Sequence, residues 1–481
     1  MRILNTLLLL FSTMLAVSCS NNKTVMTPTP PQPVGDTSQS GIISWITTGD
    51  EQKLLERQKA VPFQSSAVAA AVITIDTALQ FQEMDGFGYT LTGGSAIVIN
   101  KMPADAKAKL LNELFNNDEN GIGISFLRIS IGASDLSDSV YTYNDLPAGE
   151  TDEQLEHFSL DRDRTNVIPL LKEIIAINSS LKIIATPWTP PVWMKDNNNS
   201  IGGKLKPEYY DVYARYFVKY LQEMKSEGID IYAITPQNEP LHPGNNPSLH
   251  MTAEEQANFI KNNLGPAFKS AGITTKIIIY DHNCDRPDYP LTILNDPAAK
   301  AYVDGSAFHL YAGDISAMSE VREAHPDRNV YFTEQYTSID GQFGGDLRWH
   351  LRNLIIGAPR NWSKTVLEWN LANDAAFGPH TPGGCTTCKG ALTINGSAVK
   401  RNVAYYIVAH ASKFVPAGSI RVNTNIPGSL LNVAYKTPDG KKVVLVLNDG
   451  DNDANFSIKI GDRSAIVNLK AGAVGSYVME P

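Results

Sequence analysis

Two glutamates of this 481-residue chain stand where apolar runs of the sequence end. Glu239 follows Asn238 at the end of "IYAITPQNEP", and Glu334 closes the run "NVYFTE". Carboxyl groups are costly beside a buried strand unless they are paired or have a chemical task. Two facing carboxyls can cleave a glycosidic bond, because one protonates the departing oxygen while the other attacks the anomeric carbon or activates water. Ion pairing of two unrelated glutamates at a protein rim is the alternative interpretation.

The distance between the two carboxyls would decide the stereochemical outcome, which the sequence leaves open. A separation of about 5–5.5 Å retains the anomeric configuration, and one of about 6.5–9.5 Å inverts it. Glu239 and Glu334 are far apart in the chain, so they can act together only if the fold brings their strand ends to one place.

The elements that could do this are eight apolar, β-branched runs, each followed by a helical pattern. The predicted strands are 86–92, 123–131, 181–188, 231–237, 276–282, 305–311, 329–335 and 365–371. Alternating strands and helices of this number predict an α/β fold, the parallel (β/α)8 TIM barrel, over residues 85–414. The active site of such a barrel lies at the carboxyl ends of its strands.

The sequence on both sides of the barrel alternates with period two. Residues 415–481 contain six short apolar-polar runs, two of them separated by the turn "TPDGK". Residues 41–84 also have strand-like parts. We predict one antiparallel β-sandwich domain at the side of the barrel, in which the N-terminal and C-terminal segments share a sheet.

The N-terminus has the layout of a secretory signal. Arg2 precedes an apolar run from Leu4 to Val17 that is short for a membrane span. The segment "LAVSC" resembles a bacterial lipobox, so residues 1–18 are predicted to be a lipoprotein signal peptide and Cys19 the lipidated residue. Residues 19–40 have the composition of a flexible tether. This predicts an exported lipoprotein held at the outer membrane; a plain signal peptide is the alternative.

Composition excludes several classes of partner. The formal net charge is −9 and the sequence contains no basic run, which argues against nucleic-acid binding. The nine histidines are scattered and none forms a closely spaced metal-ligand pattern with its neighbours. We therefore expect no metal and no cofactor, and we expect a monomer.

Cys385 and Cys388 form a CxxC sequence in a glycine-rich loop, "GGCTTCKG". A short loop disulfide is the first interpretation in an exported protein. A zinc site with His380 is the alternative, although a second CxxC is missing. Cys284 has no evident partner.

Several motifs together resemble glycoside hydrolase family 30, the family that includes the glucosylceramidases. They are "GFGYTLTGGSA", "FLRISIGASDLSDSVYTYND", "ATPWTPPVWMK", "TPQNEP", "YFTEQY", "WNLA" and the closing "SKFVPAGSIRV". The resemblance covers nearly the whole chain after the tether. It implies a retaining double displacement, with Glu239 as the general acid/base and Glu334 as the nucleophile.

The resemblance also implies roles for other side chains at the predicted strand ends. These residues are Arg128 near the nucleophile, Asp135 and Asn238 on sugar hydroxyls, Trp188 and Trp369 against the sugar face, and His309 and Tyr311 near Glu334. Apolar sugar faces stack on aromatic rings, and a carboxylate accepts two vicinal hydroxyls. Structural ion pairing or core packing is the alternative for each of them, and His309 is equally consistent with a scaffold role.

The loops around the predicted site differ from those of the glucosylceramidases. "LTGGSA" after the first strand and "PGGCTTCKG" after the eighth look more like the bacterial endo-β-1,6-glucanase branch. β-1,6-Glucan is therefore the favoured substrate, and glucosylceramide, small β-glucosides and β-xylosides are alternatives within the family. A tethered glycan-binding lipoprotein without catalytic activity is the alternative from another class.

Overall fold

A computed structural model describes residues 41–65 and 68–481 of the chain. The predicted signal peptide, the tether and the lipidation site at Cys19 lie outside these residues. Within the described ranges, none of the helices combines the length and the apolar character needed to cross a membrane.

Eight parallel strands close into a barrel, as the alternation of the sequence predicts. In chain order they are Gly86–Thr90, Phe126–Ile131, Lys182–Pro187, Ala233–Ile234, Lys276–Cys284, Val303–Gly313, Asn329–Glu334 and Ser363–Asn370. Each strand pairs with the next, and the eighth pairs with the first through Thr365 and Gly86. The TIM barrel is confirmed.

The helices lie between and after these strands. They are Gly93–Asn100, Ala104–Phe115, Asp161–Arg164, Val167–Ile177, Tyr210–Ser226, Ala253–Phe259, Gly265–Ser270, Asp288–Leu294, Pro297–Lys300, Ala317–Ala324, Phe343–His350, Ala358–Arg360 and Val403–Ser412. The longest, Tyr210–Ser226, buries an aromatic face that includes Tyr213, Phe217 and Tyr220. Side chains three and four residues apart share one side of a helix, which gives this face its spacing.

The fourth strand is shorter than predicted. The sequence predicts residues 231–237, whereas regular pairing covers only Ala233–Ile234. Beyond it the backbone bonds in an irregular way: the amide of Asn238 donates to Pro187 O at 2.9 Å, and that of Glu239 donates to Asp281 O at 3.0 Å. Glu239 itself has a φ of 44°, in the left-handed region. The ladder ends early because the chain turns to present the Glu239 side chain.

The flanking segments form one ten-stranded sheet, as predicted. Its members are Gly41–Thr47, Glu56–Arg57, Val61–Pro62, Ala71–Glu83, Ile420–Thr424, Leu430–Lys436, Lys442–Asn448, Ala454–Ile460, Arg463–Leu469 and Val474–Met479. The first of these strands pairs with the last along its whole length, which joins the two ends of the described chain. One pair departs from the antiparallel prediction, since Ala71–Glu83 runs parallel to Ala454–Ile460.

Two small sheets lie near the carboxyl end of the barrel. One pairs Thr337–Ser338 with Cys388–Lys389, and the other contains Ala372–Asp374, Leu392–Asn395 and Ala398–Arg401. They fix the long segment between the eighth strand and the last helix.

Candidate active site

An apolar layer fills the barrel below the site. Seven of the strands each contribute one side chain to it: Phe126, Ile184, Ala233, Ile278, Ala307, Tyr331 and Leu367. Because alternate residues of a strand face the same side, the residue two positions further along each strand should also point into the barrel. Those positions include Arg128, Thr235, His309 and Thr333, so a polar layer lies directly on the apolar one.

Arg128 is the centre of this polar layer. It is fully buried, and its guanidinium donates to Glu334 Oε2 at 2.5 Å, to Asn238 Oδ1 at 2.6 Å and to Asp281 Oδ2 at 2.9 Å. One face lies over the ring of Trp188, 4.9 Å from its centroid. A buried cation with two carboxylate partners fixes both of them in position and favours their charged forms.

Asp281 is a site residue that the sequence analysis missed. Strict alternation from the inward Ile278 would place Tyr280 inside the barrel and Asp281 outside. The chain instead has a bulge there, with φ of 75° at Tyr280 and 62° at Asp281, and the pairing register with the sixth strand shifts by one residue. The bulge turns Asp281 inward. Its polar position at a strand end, in "IIIYDH", was the signal available in the sequence.

Asp281 links most of the polar layer through hydrogen bonds. Besides Arg128, it accepts from Thr235 Oγ1 at 2.8 Å and from Thr333 Oγ1 at 2.7 Å, and its Oδ1 lies 3.0 Å from His309 Nε2. Burial would raise its pKa, but the charge of Arg128 outweighs this and holds the pKa far below its usual range. Asp281 is therefore a permanent buried anion between two cationic side chains.

Glu239 and Glu334 face each other above this layer. His309 Nδ1 lies 3.1 Å from Glu239 Oε1 and 3.7 Å from Glu334 Oε1, and one oxygen of each carboxyl lies within 4.8 Å of the other. Tyr311 donates its hydroxyl to Glu334 Oε1 at 3.0 Å. The two predicted catalytic residues are thus brought together, with His309 between them.

Glu239, His309 and Glu334 also have the spacing of metal ligands. Burial would lower the pKa of His309, but the charges of Glu334 and Asp281 and the bond to Glu239 raise it to about 9. A metal ion would therefore have to displace a proton from this imidazole. The contacts present are those of a carboxyl pair that shares one histidine as a hydrogen-bond partner.

A pocket opens above the two glutamates. Its lining includes Asp135, Trp188, Asn238, His242, His282, Tyr311, Tyr336, Trp369 and both Cys385 and Cys388. The tryptophans contact each other, with ring centroids 5.4 Å apart, and both are nearly fully buried. All seven predicted binding residues except Arg128 and His309 line the pocket, and those two lie in the polar layer beneath it.

The Cys385 and Cys388 side chains form a disulfide at the wall of this pocket. The thiolates that a zinc site with His380 would need are consumed in this bond. Cys284 is a buried free thiol, and burial raises its pKa. The backbone amide of Cys385 donates to Asp135 Oδ2 at 3.2 Å, which the sequence could not show because a main-chain group makes the contact.

Comparison with known proteins agrees with this geometry. Residues 84–415 match the family model of the glycosyl hydrolase family 30 TIM-barrel domain, and residues 418–477 match that of the glycosyl hydrolase family 30 β-sandwich domain. The solved structure of the endo-β-1,6-glucanase BT3312 superimposes with a TM-score of 0.86 at 36% sequence identity, over 92% of this chain and 100% of that one.

Two curated relatives show how widely the similarity extends. The endo-1,6-β-D-glucanase neg1 of Aspergillus fumigatus is 36% identical over 404 residues, 78% of this chain and 80% of the relative. The lysosomal acid glucosylceramidase of Mus musculus is 30% identical over 432 residues, 83% and 82% of the two chains. This chain is a glycoside hydrolase, and it belongs to glycosyl hydrolase family 30.

Proposed function

We propose that the protein is a retaining endo-β-1,6-glucanase. The observation that carries the stereochemistry is the approach of Glu239 and Glu334, whose carboxyl oxygens come within 4.8 Å of each other. Retaining glycosidases need about 5–5.5 Å between the carboxyls, whereas an inverting enzyme needs about 6.5–9.5 Å to admit a water molecule. The shorter gap fits direct attack by one carboxylate.

The contacts of the two carboxyls support different roles for them. Arg128 and Tyr311 both donate to Glu334, so its carboxylate is held in place and its attack on the anomeric carbon is directed. Glu239 has His309 as its side-chain partner and is free to protonate the glycosidic oxygen. Water then attacks the glycosyl-enzyme ester while Glu239 takes its proton, which restores both groups.

Without substrate, the surrounding protein groups favour a proton on Glu334 and a charged Glu239, the reverse of what catalysis needs. Burial raises the pKa of Glu334 despite His309 and Arg128, whereas the His309 hydrogen bond overcomes burial and lowers the pKa of Glu239. Catalysis requires the proton on Glu239. A glycosidic oxygen beside Glu239 accepts a hydrogen bond only from the protonated carboxyl, so substrate itself stabilises that form and reverses the order.

The choice of β-1,6-glucan is supported by the named relatives. Both the structural neighbour and the fungal relative at 36% identity are described as endo-β-1,6-glucanases. The similarity to a glucosylceramidase is lower, at 30% identity, which makes glucosylceramide the second candidate. Asp135, Asn238 and Trp369 at the pocket wall suit a glucose ring in either substrate.

The test is a comparison of substrates with the purified protein that lacks residues 1–18. We would incubate it with β-1,6-glucan, β-1,3-glucan, xylan, an aryl β-glucoside and glucosylceramide, and follow product length and anomeric form. Oligosaccharides released from β-1,6-glucan with the β-configuration are expected. Exclusive release of glucose, an α-configured first product or hydrolysis of glucosylceramide alone would contradict the proposal. Binding of β-glucan without hydrolysis of any substrate would favour the non-catalytic alternative.

We further propose that the protein acts as a monomer anchored at the outer membrane through lipid on Cys19. The support is the lipobox-like "LAVSC" and the tether-like composition of 19–40. Cys19→Ala should release the protein from the membrane fraction without changing its specific activity. Retention of the variant in that fraction would contradict the anchor, and a sedimentation mass above one chain would contradict the monomer.

A further inference from the structure

The loop after the eighth strand reaches across the barrel mouth to Asp135. The amide of Cys385 donates to Asp135 Oδ2 at 3.2 Å, and the amide of Thr381 donates to the Asp135 carbonyl at 2.8 Å. Thr381 Oγ1 also bonds to the carbonyl of Asn246, 2.5 Å away, in the loop after Glu239. The loop therefore joins the segments that follow the second and fourth strands.

Cys388 is anchored much more firmly than Cys385. It is 4% exposed, packs with Leu136, Trp188 and Trp369, and pairs with Ser338 in a short strand shortly after Glu334. Cys385 is only half-buried, and its main-chain contact with the site is the single bond to Asp135. The disulfide is the covalent link between the half-buried cysteine and the firmly packed one.

We propose that the Cys385–Cys388 disulfide is a positioning element of the sugar site, because it holds the Cys385 amide on the Asp135 carboxyl and so directs that carboxyl at the sugar hydroxyls. The inference rests on the proposed function, in which Asp135 binds the glucose ring. Within the described residues no side chain donates a hydrogen bond to the Asp135 carboxyl, and besides its own backbone amide the Cys385 amide is the donor that orients it.

The charge of Asp135 makes this contact measurable. Burial and the nearby charge of Glu334 raise the pKa of Asp135 to about 7, while the Cys385 amide opposes the rise. Loss of the amide should therefore raise the pKa further and leave more Asp135 protonated at pH 7. At pH 9 the carboxyl is ionised in either case, so the effect on sugar binding should be smaller there.

A dithiol reductant tests the role of the disulfide directly. A dithiol such as dithiothreitol supplies two electrons and two protons: the Cys385–Cys388 bond breaks, two thiols form, and the reagent closes to its cyclic disulfide. Cys284 is the other cysteine of the described chain, and its burial keeps it apart from this exchange. A Cys284→Ala background removes it as a source of ambiguity.

The experiment measures binding of β-1,6-linked glucotetraose by calorimetry to Glu239→Gln protein, which cannot donate the catalytic proton. Removing the disulfide, by dithiothreitol or by Cys385→Ser with Cys388→Ser, is expected to weaken binding about tenfold at pH 7, the size of one charge-assisted hydrogen bond. At pH 9 the carboxyl is ionised with or without the disulfide, so the part of the loss that comes from protonation should disappear and the part that comes from misdirection should remain. Dithiothreitol should leave the double-serine variant unchanged.

Asp135→Asn is the matched control that separates positioning from general loosening of the loop. The side-chain amide still accepts from Cys385 but carries no charge, so in that background loss of the disulfide should cost less affinity than in the protein that retains Asp135, and equally at pH 7 and pH 9. Equal affinity of oxidised and reduced protein, or the same loss in the Asp135→Asn variant as in the protein that retains Asp135, would overturn the inference. If the serine variant does not fold, titration of folded protein with dithiothreitol gives the same comparison, and the loss of affinity must follow the number of free thiols.

Failure of the proposed function would look different. In that case the oxidised wild-type chain would not hydrolyse β-1,6-glucan, and the comparison of oxidised and reduced protein would be made on whichever β-glucoside it cleaves, through KM at pH 7 and 9. If the oxidised and reduced proteins hydrolyse β-1,6-glucan equally well, the proposed function holds and the disulfide has no positioning role.

Discussion

At the scale of single residues, the site is organised by one buried cation. Arg128 contacts Glu334, Asn238 and Asp281 with one guanidinium group, and its plane rests on Trp188. A lysine could offer only a point charge there, whereas the planar guanidinium holds three acceptors in fixed directions. The nucleophile and the residue expected to bind the sugar 2-OH are therefore oriented by the same group.

Glu334→Gln should abolish turnover while leaving sugar binding largely intact. The amide cannot attack the anomeric carbon, yet it keeps the size of the side chain and can still accept from Arg128. We expect kcat on β-1,6-glucan to fall by about 10⁴-fold or more, with the affinity for glucotetraose changed less than about tenfold. The exposed Glu254→Gln is the control. Substantial residual turnover would remove Glu334 as nucleophile.

Glu239→Ala should discriminate between substrates by their leaving groups. Natural glucan needs protonation of a poor leaving oxygen, so its hydrolysis should fall by about 10²–10⁴-fold. An aryl β-glucoside with an acidic phenol needs little protonation, and its glycosylation step should be spared. Rates of both substrates with wild-type, Glu239→Ala and Glu254→Ala proteins make the comparison. Equal losses on the two substrates would count against Glu239 as the acid.

At the scale of elements, the sequence was sufficient to predict the strands and the residues at their regular ends. The apolar pattern located Glu239 and Glu334 after two of the strands, whereas the roles of Arg128, Asn238, His309 and Trp369 came from the resemblance to glycoside hydrolase family 30. Asp281 was missed because a bulge reverses its side, and period-two alternation carries no information about a bulge. The contact from Cys385 was missed because main-chain donors have no sequence signature. The parallel pairing of Ala71–Glu83 with Ala454–Ile460 was missed because an alternation of apolar and polar residues occurs in parallel and antiparallel strands alike.

The bulge in the fifth strand gives a prediction for Asp281. Asp281→Asn removes a buried anion between Arg128 and His309, so two cationic groups lose a compensating charge. We expect kcat/KM on β-1,6-glucan to fall by about 10²-fold or more, because the guanidinium no longer holds Glu334 and Asn238 in register. Thr235→Val is the control, since it deletes one hydrogen bond to Asp281 but keeps the charge. A smaller loss for Asp281→Asn than for Thr235→Val would contradict this role.

At the scale of the whole molecule, His410 connects the last barrel helix to the strands Gly41–Thr47 and Val474–Met479, the first and last strands of the described residues. Nδ1 lies 2.7 Å from Ser476 Oγ in the last strand, and Nε2 lies 2.8 Å from Thr47 Oγ1 in the first strand. Ser476 donates its own hydroxyl to the His410 carbonyl, and Thr47 Oγ1 already accepts from the amide of Leu55. Since the Ser476 hydroxyl proton is used on the His410 carbonyl, Nδ1 is the donor to Ser476. A neutral ring then accepts at Nε2 from the Thr47 hydroxyl.

Burial lowers the pKa of His410 to about 3, so its neutral form contributes to stability above the unfolded value of about 6.5. As the pH falls below that value, His410 becomes protonated in the unfolded chain but stays neutral in the folded chain. The contribution then declines by about 1.4 kcal/mol per pH unit until the folded pKa is reached. A second proton, on Nε2, would point at the Thr47 hydroxyl. That hydroxyl would then have to accept a hydrogen bond from the ring instead of donating one.

His410→Gln should therefore reduce the stability most at neutral pH and least in acid. The amide keeps a donor and an acceptor but cannot reach both hydroxyls, so a loss of about 1–3 kcal/mol is expected at pH 7. At pH 5 the wild-type protein has lost about 2 kcal/mol of the histidine contribution, while the glutamine variant has lost none of it. Urea unfolding of both proteins at pH 7, 6 and 5 measures the difference directly. A difference that stays constant over this range would show that folding leaves the pKa of His410 unchanged, and a difference that grows towards pH 5 would show that the folded protein holds the ring protonated. Either result would contradict a neutral contact between this helix and the two strands.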